Sequence, residues 1–211
     1  MRCILFLGVF ITMLAGCRSS HIITAWKNQK PAESYGKIMV VAIIDSTAST
    51  LKAKIENDFA TQLKVLGYNT VTSVEEFGEK GLANMAQEKT YQSLCDKNID
   101  AVITLTLIDL SKEKRNPRRI VGYPDKYYYD RIWNYKNVTA NLSGQKAHGK
   151  LFWESILFNL RTLESEITIQ TKPSSNISTQ KMNVDFDKGI IKRLLKEKVL
   201  GKPKAAAPKA A

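Results

Sequence analysis

Seven apolar residues in a row, Ile38 to Ile44, run between Lys37 and Asp45. A run of that length predicts a strand buried on both faces. The hydroxyl-rich stretch Ser46 to Thr50 can cap a helix. The period then changes. Leu51, Ile55, Phe59, Leu63 and Leu66 recur at spacings of four and three, which is one apolar helical stripe, and Gly67 is placed to stop it. Tyr68 to Val74 predicts a second strand. About Gly81 to Lys97 predicts a helix, with Leu82, Met85, Leu94 and Cys95 toward the core. Ile99 to Ile108 predicts a third strand.

Two more strands are predicted over Lys150 to Leu163 and Glu166 to Thr171, with a turn at Arg161 to Ser165. Polar and apolar residues alternate from Glu166 to Gln170, as in a strand with one wet face. Asp185 or Asp187 is placed to cap a last helix, whose inner stripe is Ile190, Ile191, Leu194, Leu195 and Val199. Gly201 ends it. Strand, helix, strand, helix, strand, then a hairpin and a C-terminal helix predict an α/β fold. Its mixed sheet has some parallel pairing and two or three layers.

The N-terminus changes the picture. Met1 to Gly16 carries one charge, Arg2, then an apolar run from Ile4 to Leu14 and small residues. This is the pattern of a secretory signal, and it is short of the roughly 20 residues a bilayer span needs. Leu14-Ala15-Gly16-Cys17 resembles a bacterial lipoprotein box. The resemblance implies cleavage before Cys17 and acylation of its thiol, and Arg18 in place of Asp implies the outer membrane. An ordinary secretory signal with a chance cysteine is the bland alternative. The expected organisation is a signal over 1–16, a lipidated tether over 17–34, one domain over 35–200 and a Lys/Pro/Ala tail over 201–211.

The net charge is +12, which fits either a solvated surface or a polyanionic partner. Secretion argues against nucleic acid and leaves an envelope protein, cell-wall polymer or lipid headgroup. Cys95 is the cysteine left after Cys3 and Cys17, and it reads as a buried thiol or as half of an intermolecular disulfide. Ser111 to Lys136 holds eight Lys or Arg, three acidic residues, five of the eight tyrosines and Trp133. It reads as a long connection or an extended hairpin outside the core.

Catalytic signatures are sparse. His21 and His148 have no companions at metal-ligand spacing, so no metal and no cofactor are expected. Two constellations remain. Asp45, Ser46 and Thr47 follow the first strand, where open α/β sheets hold ligands, and they fit an anion or sugar as well as a helix cap. Tyr127, Tyr128, Tyr129, Arg131 and Trp133 combine residues enriched at binding hot spots, and they fit a partner surface as well as a local mini-core. Glu154 and Glu166 show no acid–base spacing.

The lipobox, Trp26 in Thr24-Ala25-Trp26-Lys27, the strand from Lys37 to Ala42, Leu63 to Tyr68, Asp100 to Thr104 and Glu154 to Phe158 together resemble a family of uncharacterised Gram-negative outer-membrane lipoproteins. The early half also resembles the amino-terminal domain of TolB and lipoprotein activators of penicillin-binding proteins. That second resemblance implies a non-enzymatic adaptor.

Overall fold

A computed structural model describes residues 22–30, 33–44, 49–78, 87–109, 151–171 and 179–203. Its elements are β1 (Ile22–Lys27), β2 (Ile38–Ile43), α1 (Ser49–Val65), β3 (Thr70–Thr72), α2 (Ser73–Phe77), α3 (Gln87–Asp96), β4 (Ala101–Asp109), β5 (Leu151–Asn159), β6 (Glu164–Thr171) and α4 (Thr179–Lys196). The strands form one open sheet in the order β1-β6-β5-β4-β2-β3. β2 is parallel to β3 and β4, whereas β4–β5, β5–β6 and β6–β1 are antiparallel. The expected α/β class, with crossovers first and a hairpin after, is the observed one.

Strand alternation divides the core between two faces. Val40, Leu105 and Leu157 point to one side, where Phe59 and Leu63 of α1 and Ile190 and Leu194 of α4 cover them. Met39, Val41, Val102, Ile156 and Phe158 point to the other, beneath Leu94 of α3. The sheet between helices makes three layers. That is why β2 and β4 read as continuous apolar runs rather than as an alternation. Phe186 holds α4 down by stacking on Trp153 of β5, with ring centroids 4.6 Å apart.

The register gives the sheet two unlike ends. β2 and β4 finish at the upper end, where β5 begins opposite Asp109 and β1 begins with Ile22 opposite Thr171. α1 leaves the upper end and reaches the lower one, where β3 starts beside Ile38. α4 follows the upper end of β6 and finishes at the lower end, where Leu200 bridges Glu33. The two helices therefore run in the same direction down one face.

Several expectations change. The face of β6 expected to be wet is covered, with Glu166 and Thr168 buried, because α3 and its neighbours make a second layer on that side. Part of the stretch expected as a tether is β1: Ile22, Ile23 and Thr24 are β-branched, and pairing gives β6 a second neighbour. The second strand is only Thr70–Thr72, because a capping box starts α2 there. Thr72 Oγ1 accepts from the Glu75 N–H at 3.0 Å, and the Glu75 carboxylate accepts from the Thr72 N–H at 2.9 Å. Neither Asp185 nor Asp187 caps α4, which starts at Thr179, so both lie within the helix. Cys95 is exposed, since the phase that buries Leu94 turns its neighbour outward. The chain also stays tied to the fold at Gly201, whose N–H donates to Glu33 O at 2.8 Å.

Candidate functional site

The residues singled out in the sequence for binding, Asp45, Ser46, Thr47, Tyr127, Tyr128, Tyr129, Arg131 and Trp133, lie outside the described residues, as do Cys17, His21 and His148. The described chain fixes where those segments attach. Asp45 follows Ile44 at the upper end, and the Tyr-rich connection leaves β4 after Asp109 and rejoins β5 at Leu151, also at the upper end. β2 and β4 are parallel neighbours whose crossover helices lie on opposite faces. Their upper ends thus flank a topological switch point.

Glu56 of α1 is fully buried beside this point. Its Oε1 accepts from the Ala42 N–H at 2.9 Å and the Ser73 hydroxyl at 2.7 Å, and its Oε2 accepts from the Val74 N–H at 3.1 Å. Lys52 Nζ stands 3.9 Å away. Burial pushes the Glu56 carboxyl above the usual carboxylate range, against the pull of these donors. Its oxygens are occupied in joining α1 to the end of β2 and the start of α2. Glu56 is a structural clamp.

Asp187 is different. It is 0% exposed, and among the described residues neither carboxylate oxygen has a hydrogen-bond partner. Burial, with the nearby Asp58 charge adding and Lys54 opposing, pushes it up to about 8. Those two neighbours belong to α1, so Asp187 sits in the seam between α1 and α4. The sequence carried a signal for this: Asp187 precedes Ile191 and Leu194 by one and two turns on the same stripe.

The lower end is ionic. Arg161, in the β5–β6 turn, reaches Asp100 Oδ2 at 3.1 Å and Glu33 Oε2 at 3.6 Å. Asn159 Nδ2 donates to Glu166 Oε1 at 3.3 Å, and burial holds the Glu166 carboxyl above its usual range. Lys37 and Lys97 both donate to Glu76, at 2.6 and 2.9 Å, and these bonds hold its carboxyl below the usual range. Each group ties separate segments together. Glu154 instead accepts from Gln170 Nε2 at 2.7 Å. Gln170 is four residues, about 13 Å, along β6 from Glu166, so the two glutamates do not meet as an acid–base pair. Among the described residues no cluster of three or more His, Cys, Asp or Glu could hold a metal ion. No described helix is long and apolar enough to cross a membrane.

No protein-family model matches the chain, and no curated protein matches it. Solved structures similar to it include the following two. The PelC dodecamer from Paraburkholderia phytofirmans has a TM-score of 0.42 and 11% identity, with 87% of this chain and 99% of that one covered. The lipoprotein GNA1162 from Neisseria meningitidis has a TM-score of 0.36 and 11% identity, with 79% and 97% covered.

Proposed function

We propose that this chain is an outer-membrane lipoprotein, anchored through acylated Cys17, whose periplasmic domain is a non-catalytic adaptor or assembly factor. The place of β1 carries the reading. Ile22 begins the edge strand only five residues after Cys17. Five residues span at most about 18 Å, so an acylated Cys17 holds the upper end of the sheet close to the bilayer. The domain is then displayed from a fixed edge, as suits a protein that positions other envelope components. Tyr127, Tyr128, Tyr129, Arg131 and Trp133 belong to a connection whose roots are at that end, and they are its proposed partner residues.

The test is Cys17→Ser. Acyl-label incorporation should disappear, and precursor or released protein should replace the outer-membrane form. Unchanged labelling and fractionation would refute the anchor. Affinity capture from crosslinked envelopes then tests the adaptor: replacing Tyr127, Tyr128 and Arg131 with Ala should weaken capture and leave the melt unchanged.

The switch point between β2 and β4 favours a second reading, a module that binds a small anion or sugar at Asp45, Ser46 and Thr47. A ligand there should raise the melting temperature with concentration, and Ser46→Ala with Thr47→Ala should abolish that rise.

A further inference from the structure

Among the described residues three large apolar side chains are exposed: Val65 at 82%, Leu66 at 43% and Leu195 at 38%. Val65 and Leu66 are adjacent at the end of α1, and Leu195 lies near the end of α4. α1 and α4 descend the same face in the same direction. At the lower end the two helices adjoin: a β-carbon on Gly67, just past α1, would stand 3.5 Å from Pro203, on the chain that leaves α4. Val65, Leu66 and Leu195 belong to that end. Nearby contacts agree, since the Tyr68 hydroxyl donates to Gly201 O at 3.1 Å, joining the end of α1 to the chain that leaves α4.

Exposed lysines stand on the same two helices and on the chain that follows. Lys64 adjoins Val65, Lys188 and Lys192 share the exposed side of α4 with Leu195, and Lys202 follows Gly201. Among the described residues none of the four has a carboxylate within ion-pair distance. The acids close by are committed elsewhere: Asp58 to Lys54 at 2.7 Å, and Glu197 to Arg193 at 3.1 Å.

We propose that the lower end of this seam docks an acidic, amphipathic segment of a partner protein, with an apolar side chain set among Val65, Leu66 and Leu195 and carboxylates facing the lysines. This deepens the adaptor reading and rests on it. Charge complementarity selects the occupant. A second copy would bring lysines against lysines on a chain of net charge +12. A lipid surface would meet the upper end, because Ile22 lies close to the anchor and the patch is a helix length away, about 25 Å for the 17 residues of α1.

Val65→p-benzoylphenylalanine in the full-length lipoprotein tests this by photocrosslinking in intact envelopes. The expected product joins residue 65 to another polypeptide, through a peptide that is net acidic and apolar at the linkage. Its yield should fall roughly tenfold in Leu195→Ser, and again in Lys64→Glu with Lys192→Glu, with the melts of both variants retained. Lys89→p-benzoylphenylalanine, on α3 and the opposite face, should not give it. Linkage to a second copy, to lipid or to a neutral or basic peptide overturns the proposal. So does no product, or an equal yield from residue 89 or from either variant. Acyl labelling reads the anchor separately, so a missing product in a correctly anchored protein refutes the seam and leaves the anchor standing.

Discussion

Gly189 of α4 lies so close to Ile22 of β1 that a β-carbon on the glycine would overlap the Ile22 Cδ1 methyl. A mid-helix glycine costs about 1 kcal/mol relative to alanine, and here it lets the last helix lie on the edge strand. Gly189→Ala should therefore stabilise the domain less than helix propensity alone predicts, or destabilise it. In an Ile22→Val background, which lacks that methyl, the same change should raise stability by up to about 1 kcal/mol. Equal effects in both backgrounds, measured by urea denaturation, would show that the contact does not restrict the helix.

Asp187 predicts a pH dependence. Its folded value of about 8 lies above the ordinary 3.8. The unfolded chain releases this proton first, so the stabilising contribution is full below 3.8 and is lost progressively as pH rises to about 8. The slope is about 1.4 kcal/mol per pH unit at most. Asp187→Asn removes the titration, so its melting temperature should exceed that of the native chain by a margin that grows from pH 4 to pH 8. A margin independent of pH would mean that the carboxyl finds a partner.

Glu56→Ala leaves the Ala42 and Val74 N–H groups and the Ser73 hydroxyl without their acceptor. The expected loss is roughly 3–5 kcal/mol, with Glu56→Gln losing less because its amide oxygen still accepts. Thermal and urea melts of both variants check the order. Equal losses would assign the clamp to charge rather than to hydrogen bonding.

A soluble form that starts at Ser34 discards β1, whereas one that starts at Arg18 keeps it. Removing β1 bares the edge of β6 and cuts the bonds from Lys27 to Glu197 and from the Asn28 N–H to Glu166 O. The shorter form should melt lower and self-associate more, as read by calorimetry and sedimentation. Equal melts would mean that β1 adds nothing to the fold.

The centre of the fold was legible because burial on both faces writes long apolar runs: β2, β4 and β5 were each placed to within a few residues. The edges were not. β1 is short and polar toward its end, so it lacks the alternation that marks a half-buried strand. α2 had a readable signature in Thr72 and Glu75, which the apolar pattern of Tyr68 to Val74 masked. Asp187 stands one and two turns before Ile191 and Leu194 on the inner stripe, a signal that the commoner role of acids at helix starts outweighs. Leu66 and Leu195 were counted in the apolar stripes of their helices, yet both are exposed. Helix phase alone cannot tell a core position from the rim of the seam, which depends on how closely the neighbouring helix approaches.

The attachment of β1 to β6 also sets how the protein bears force. Tension on an acylated Cys17 would enter at Ile22 and act along the strand, while a load at the far end of α1 and α4 would pull the rest of the sheet the opposite way. β1 and β6 run antiparallel from Ile22–Thr171 to Lys27–Ile167, so such opposed pulls shear the ladder. Its bonds then resist together rather than opening one after another. A short edge strand can in this way act as a mechanical coupling, passing strain between the bilayer and whatever the domain holds without unfolding the layers behind it.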